Sequence, residues 1–259
     1  MTDNTTGTTT SSTAKHAPTS SITKIDTAII GTGFSGIGMG VSLLKQGLTD
    51  FTIFEKADSL GGTWRDNNYP GCACDVQSHL YSFSFAPNPN WSRAFAPQPE
   101  IKRYLEDVSA EYGLKQHLKY GHELVAANYQ TEEKCWHLRF RNGRIVEANK
   151  LISAIGALHI PNRPEIKGAE TFAGDMFHSA EWQQDVDLTG KRVAVIGTGA
   201  SAIQFVPAIV QKVKSITVFQ RSPAWVIPKP DREIGSLEKK LYNSFSSLMS
   251  LQRGRTWLQ

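Results

Sequence analysis

Two short apolar runs, 166 positions apart, each end in a glycine turn that opens a helix. Residues 25–30 (IDTAII) run into GTGFSG, and residues 192–196 (RVAVI) run into GTGASA. Helical patterns follow over 37–46 and 203–213, then a second strand over 51–55 (FTIFE) and 215–220 (SITVFQ). A strand, a tight turn, a helix and a further strand make a right-handed crossover between parallel strands. The repeat therefore predicts an α/β fold with two Rossmann-type dinucleotide-binding domains.

The turns carry the chemistry. Gly31 makes the tight turn, Gly33 admits a pyrophosphate to the backbone, and Gly36 lets helix and strand pack closely. Phe34 and Ser35 complete this cradle. In the second, Gly197, Gly199 and Ala202 take the same three positions, with Thr198, Ala200 and Ser201 between them. Each helix N-terminus then faces the anion.

Charge separates the two sites. The residue 24 positions after Gly31 is Glu55. A carboxylate there accepts hydrogen bonds from ribose hydroxyls and repels a 2′-phosphate, which suits FAD or NAD. The residue 24 positions after Gly197 is Arg221. A guanidinium pairs bidentately with phosphate, which suits NADP, and Ser222 adds a hydroxyl. A structural turn and a solvent-facing arginine are the plainer alternatives. Together the two sites predict a flavoprotein reduced by NADPH.

Between the units, residues 61–99 are rich in Gly, Pro, Asn and aromatics, and so long an irregular stretch is usually functional. Residues 99–118 read as a helix opened at Pro99–Glu100. Residues 123–129 and 134–149 alternate as strands around an Asn142–Gly143 turn, a β-hairpin inserted in the first domain. Residues 150–155 read as a further strand and 236–259 as a helix. The expected divisions are a disordered Thr/Ser-rich tail (1–24), a first domain (25–160) and an incomplete second domain (161–259). Two strands in the second domain leave edges and an apolar face unburied. The chain is therefore expected to be a fragment of an enzyme, poorly stable and inactive alone.

Other classes are disfavoured. The net charge of +4 comes from scattered Lys and Arg, which predicts no nucleic-acid partner. No run approaches the roughly 20 apolar residues of a membrane span, so no stable membrane insertion is expected and a cytoplasmic location is the default. Cys72 and Cys74 are separated by one residue, and Cys135 stands alone. A redox dithiol has two intervening residues, and a zinc site on this pair would need a second pair. These thiols are read as structural, with no metal and no disulfide-reductase chemistry.

Three segments sharpen the reading. GGTWRDNNYPGCACD (61–75) resembles the Gly-Gly-x-Trp … Tyr-Pro-Gly … Asp motif of the Baeyer–Villiger monooxygenases, class B flavoprotein monooxygenases. FAGDMFHSAEW (172–182) resembles their Phe-x-Gly-x-x-x-His-x-x-x-Trp fingerprint, although Gln183 follows where the family usually has Pro or Asp. SAIGALHIP (153–161) resembles the turn by which these enzymes pass from the FAD domain to the NADPH domain. The resemblance implies that Thr63, Trp64, Arg65 and Asp66 lie along FAD and that Tyr81 touches it. It implies that Val125 meets the adenine through its backbone. Asp75 would sit beside the flavin ring as the catalytic carboxylate, positioning an arginine that is not Arg253 or Arg255. His178 and Trp182 would organise the inter-domain linker. The plainer alternatives are core packing for Trp64 and a turn cap for Asp75. The implied reaction uses NADPH, FAD and O2 to insert one oxygen beside a ketone carbonyl, giving an ester or lactone. N- or S-oxygenation of a heteroatom substrate is the alternative chemistry, and a non-catalytic dinucleotide-binding module the alternative class.

Overall fold

A computed structural model describes residues 22–258. The expected tail lies outside the described residues as far as residue 21. Thr23 and Lys24, assigned to that tail, instead begin strand β1 (Thr23–Ile30). They pair with Val146 and Glu147, so the apolar run extends backwards through a ladder that composition does not reveal.

The first unit follows the order predicted from its glycine turn. Helix α1 (Phe34–Lys45) leads to β2 (Phe51–Phe54), a short helix α2 (Thr63–Asp66), and α3 (Gln98–Glu111). Strands β3 (Leu118–Lys119), β4 (Leu124–Gln130), β5 (Cys135–Phe140) and β6 (Ile145–Ser153) complete it. The six strands form one sheet in the order β3-β2-β1-β6-β5-β4. β3, β2, β1 and β6 run parallel, while β5 and β4 turn back antiparallel. Ile29 belongs to the core on one face and Ala28 and Ile30 to the core on the other, the period-two alternation of a central strand.

Two sequence boundaries move. The hairpin strand ending at 149 and the strand over 150–155 are one continuous β6, because no Gly or Pro interrupts 145–153. One edge of β6 pairs with β5 and the other with β1. The helix expected to reach 118 stops at Glu111. Gly113 takes φ +69°, and a 3-10 turn over 114–117 buries Leu114 before β3.

The second unit is β7 (Arg192–Ile196), α4 (Ala202–Ile209) and β8 (Ser215–Phe219), with β7 and β8 parallel in a separate two-stranded sheet. The helix expected over 236–259 is two helices, α5 (Ser236–Ser244) and α6 (Ser246–Trp257). They are broken at Phe245, whose ψ of 90° leaves the helical region. Among the described residues no helix is long and apolar enough to cross a membrane.

The units are stitched at three places. Gln204 of α4 bonds the Tyr69–Ala73 loop, residues 231–234 pair with the 92–95 segment, and Arg253 of α6 donates to the carbonyls of His79 and Ser82. Asp231 also takes Arg93 at 2.7 Å. These contacts tie Arg253 to a structural task.

Candidate dinucleotide sites

The two glycine turns share one backbone geometry. Gly31 has φ +106° and Gly197 φ +103°, a conformation that glycine adopts at little cost. The Gly31 N–H donates to the Phe54 carbonyl at 2.8 Å, and the Gly197 N–H donates to the Phe219 carbonyl at 2.8 Å. Each bond clips a turn to the last residue of the neighbouring strand. Likewise, Ile37 N–H reaches Gly33 O and Ile203 N–H reaches Gly199 O. The repeat seen as spacing is therefore a repeat of structure.

Both cradles leave room for an anion. No side chain caps α1 or α4, and neither has an acidic residue in its first turn. Orphan N–H groups at an uncapped helix start are natural partners for a pyrophosphate. A Cβ on Gly33 would meet only Gly62 Cα, at 4.0 Å, and one on Gly199 would meet nothing within 4 Å. The residues present thus fit a dinucleotide phosphate at each turn. Phe34 packs edge-on against Tyr81 at 4.9 Å. Ser35 is exposed and Gly36 buried against the Gly31 carbonyl. Thr198, Ser201 and Ala202 are half-buried around the second turn, and Ala200 is exposed.

Glu55 directly follows β2 and is buried. Its Oε2 accepts the Thr32 N–H at 3.0 Å and the Thr32 hydroxyl at 2.6 Å. Its Oε1 accepts the Ala57 N–H at 3.0 Å and lies 3.1 Å from Arg65 Nη1. Burial pushes the carboxyl up, but the Thr32 hydroxyl, the Ala57 N–H, Arg65 and the Thr32 N–H together hold it below its ordinary value. Glu55 is therefore an anion locked to its own cradle. The Thr32 N–H and hydroxyl, the Ala57 N–H and Arg65 thus engage both of its oxygens.

Arg65 links this anion to the Gly-Gly-x-Trp segment. It reaches Asp66 at 2.7 and 3.0 Å and the Ser59 carbonyl at 2.6 Å. Thr63, Arg65 and Asp66 line a cavity of about 400 Å³ together with Lys56, Leu158 and His159. The Trp64 indole N–H donates to the Tyr81 hydroxyl at 3.0 Å, and Trp64 is also in the core, so it both packs and orients Tyr81. Val125 is exposed at the shift in register between Leu124 and Ala126. The chain leading into it is tied to the cradle, for the His122 N–H donates to Glu55 O at 2.8 Å.

Asp75 is exposed, and among the described residues no hydrogen bond or ion pair fixes its carboxylate. The backbone around it is fixed: Cys74 N–H donates to Ala96 O at 2.9 Å, and Lys229 Nζ lies 3.4 Å from Cys74 O. Cys72 and Cys74 are buried, and burial pushes Cys74 up to about 11. That favours an inert thiol. Arg221 lies two residues beyond β8, exposed, with Ser222 exposed beside it. His178 Nδ1 accepts the Ala180 N–H at 3.1 Å, and Trp182 packs on Phe205 of α4 at 5.3 Å.

Sequence reasoning missed four participants. Thr32 bonds Glu55, Gly61 donates to Thr32 O at 3.1 Å, and Gly62 rests against Gly33. Gln204 clasps Ala73 from the other unit. The paired glycines of 61–62 were the one available signal, since adjacent glycines mark a close backbone approach.

The comparisons with known proteins agree with this geometry. The pyridine nucleotide-disulphide oxidoreductase family matches residues 28–252. A Baeyer–Villiger monooxygenase of Streptomyces coelicolor is 51% identical over 230 residues, covering 89% of this chain and 44% of that protein. Cyclohexanone monooxygenase from Rhodococcus sp. Phi1, solved with NADP+, superposes with a TM-score of 0.81 at 35% identity, covering 88% of this chain and 44% of that one. OTEMO, solved with FAD and NADP, gives 0.78 at 33% identity, covering 85% and 44%. The chain thus spans less than half the length of these relatives. With paired glycine turns of equal geometry, a buried acid at one strand tip and an arginine at the other, it belongs to the pyridine nucleotide-disulphide oxidoreductase family, in the branch of the Baeyer–Villiger monooxygenases.

Proposed function

We propose that this chain supplies the cofactor-binding part of an FAD-dependent, NADPH-consuming Baeyer–Villiger monooxygenase. Residues 23–160 form the FAD-binding domain and 161–259 the NADPH-binding domain. The observation that carries the reading is the pair of equivalent turns whose strand tips differ in charge, Glu55 against Arg221.

When bound, the two cofactors supply hydride transfer and an activated form of O2 for insertion beside a ketone carbonyl. The chain's own residues bind and orient. The N–H groups that open α1, with Gly31, Gly33, Phe34, Ser35 and Gly36, hold the FAD pyrophosphate. Thr63, Trp64, Arg65, Asp66 and Tyr81 line its path, and Val125 offers backbone to the adenine. Glu55 keeps the adenosine end negative and turns away a 2′-phosphate. Gly197, Thr198, Gly199, Ala200, Ser201 and Ala202 hold the NADPH pyrophosphate. Arg221 and Ser222, exposed and free to reorient, take the 2′-phosphate. Asp75 presents a carboxylate on a loop held by both units, where it positions a cation near the reacting ring.

The test is cofactor retention and selectivity. Purified protein is expected to be yellow and to bind NADPH more tightly than NADH. Ketone chemistry is read on the complete enzyme, which with NADPH and O2 is expected to turn a cyclic ketone into a lactone in preference to oxidising a thioether or an amine. Sulfoxide or N-oxide as the main product would move the reading to heteroatom oxygenation. Absence of bound flavin together with equal affinity for the two nicotinamides would overturn it.

A further inference from the structure

At the end of the six-stranded sheet opposite the first cradle, Glu133, Cys135 and His137 bring a carboxylate oxygen, a thiol sulfur and a ring nitrogen within 4.8 Å of one another. Strand geometry explains the convergence. Cys135 and His137 alternate on β5, so their side chains leave on one face, and the preceding turn, in which Lys134 takes φ +54°, brings Glu133 to them. His137 is the register partner of Glu147 on β6, which adds a second carboxylate directly across the ladder. His137 Nε2 lies 3.1 Å from Glu133 Oε2 and 3.8 Å from Glu147 Oε1, and Cys135 Sγ lies 3.8 Å from Glu133 Oε2.

We infer that Glu133, Cys135, His137 and Glu147 form a binding site for a divalent transition-metal cation of the zinc class. Metal bonds of about 2.0–2.3 Å at tetrahedral angles separate ligand atoms by roughly 3.3–3.8 Å; the two 3.8 Å spacings meet this, and the 3.1 Å contact of His137 with Glu133 need open only slightly. One sulfur, one imidazole nitrogen and carboxylate oxygens are the donors zinc takes, whereas calcium and magnesium want oxygen alone. Cys135 is buried while Glu133 is exposed, so the site has an inner soft ligand and an open side. That side gives onto a cavity of about 390 Å³ lined by Asp26, Asp50, Glu133 and Glu147. Cysteine spacing predicted no metal because this set uses a lone cysteine and draws its other ligands from strand alternation.

The site is structural, not catalytic. Glu147 pairs with Lys24, and Ser153 with Ile30 at the cradle end of β1. Six residues of strand put the two ends about 20 Å apart. The ion would clip the β4–β5 turn to β6, in the antiparallel edge that lacks a helix of its own. Lys24 Nζ holds Glu147 at 2.6 Å, but its side chain is 79% exposed and free to leave. On binding, the Cys135 thiol gives its proton to solvent and the thiolate takes the metal.

The experiment titrates ZnCl2 into metal-free protein against a chromophoric chelator, with Co2+ as a spectroscopic probe. One Zn2+ per chain is expected, and Co2+ should give a thiolate charge-transfer band. His137→Gln, at a half-buried position, and Glu133→Gln, at an exposed one, should each weaken zinc binding on the order of tenfold or more. Cys135→Ser should abolish the charge-transfer band, and far-UV circular dichroism reports whether that variant is folded. Lys24→Ala should bind zinc several-fold tighter, since it frees Glu147. Substoichiometric binding, a Co2+ spectrum without the sulfur band, or a His137→Gln variant that binds as tightly as the parent would each overturn the assignment.

Discussion

Gln204 grips Ala73 through both ends of its amide: Oε1 accepts the Ala73 N–H at 3.0 Å and Nε2 donates to the Ala73 carbonyl at 3.1 Å. The same Oε1 lies 3.3 Å from the Tyr69 hydroxyl. A helix of the second unit thus holds the Tyr-Pro-Gly loop of the first, two residues before Asp75. Gly71 permits the approach, because its φ is +79° and a Cβ there would meet the Gln204 carbonyl at 2.8 Å. Gln204→Ala should cost about 1–3 kcal/mol, read as a lower urea midpoint. Gly71→Ala should cost at least as much, since it adds strain to the lost contact.

That clasp marks the limit of what the sequence discloses. The strand–turn–helix units were legible because alternation, glycine spacing and a charged strand tip are local signals. Gln204 was not, because its partners lie 131 and 135 residues away and a glutamine on a helix face carries no local mark. The joining of 145–153 into one strand was missed for a related reason. A strand bordered on one edge by an antiparallel neighbour and on the other by a parallel one has no composition of its own. Thr23 and Lys24 were assigned to the tail because only their pairing to β6 makes them strand. The roles of Arg65 and Asp75 came from resemblance. Geometry adds that Arg65 answers Glu55 and that Asp75 stands free on a braced loop.

Arg65 is the counter-charge of Glu55, and both side chains are nearly buried, at 11% and 5% exposure. Arg65→Met would strand a buried carboxylate beside the first cradle. Removing one partner of a buried pair typically costs about 3–5 kcal/mol. Flavin retention after gel filtration should fall with stability, and Arg65→Lys should restore only part of both, since a point charge cannot reach Glu55, Asp66 and the Ser59 carbonyl together. Unchanged flavin content in a folded Arg65→Met protein would count against the place of Arg65 in the FAD site.

The Glu55 carboxyl also predicts an acid limb. Its value in the fold lies below the ordinary 4.5. A depressed carboxylate lends stability that is present above the unfolded value and lost as pH falls through the folded one. The unfolding free energy should therefore decline as pH drops below about 4.5. Glu55→Gln should start lower at neutral pH and show a shallower decline over the same range. Parallel pH curves for the two proteins would contradict the depressed value.

Arg221 separates the nicotinamides by charge. A guanidinium on the 2′-phosphate contributes a charge-assisted, bidentate contact that NADH cannot make. Arg221→Ala should raise the Kd for NADPH about tenfold, equivalent to about 1.4 kcal/mol, and leave that for NADH nearly unchanged. Fluorescence titration of both nucleotides reads the ratio. An equal loss for the two would mean that Arg221 acts on the fold or on the shared pyrophosphate.

The two turns differ at their third small residue, Gly36 in the first and Ala202 in the second, and the structure gives a physical reason. In the first unit α1 begins at Phe34, already wound when it passes under the turn, and a Cβ on Gly36 would collide with the Gly31 carbonyl. In the second, α4 begins only at Ala202, and nothing lies within 4 Å of a Cβ built on Gly197 or Gly199. Glycine to alanine in a helix ordinarily gains up to about 1 kcal/mol. Gly36→Ala should reverse that sign, costing about 1–3 kcal/mol through overpacking and expelling flavin as the turn shifts. Ala202→Gly should lose no more than about 1 kcal/mol and leave NADPH affinity within twofold or so. Urea midpoints with flavin and NADPH titrations on both variants decide the matter. If Gly36→Ala kept its flavin and its midpoint, the tight crossing of α1 over β1 would not be what holds the first cradle in shape.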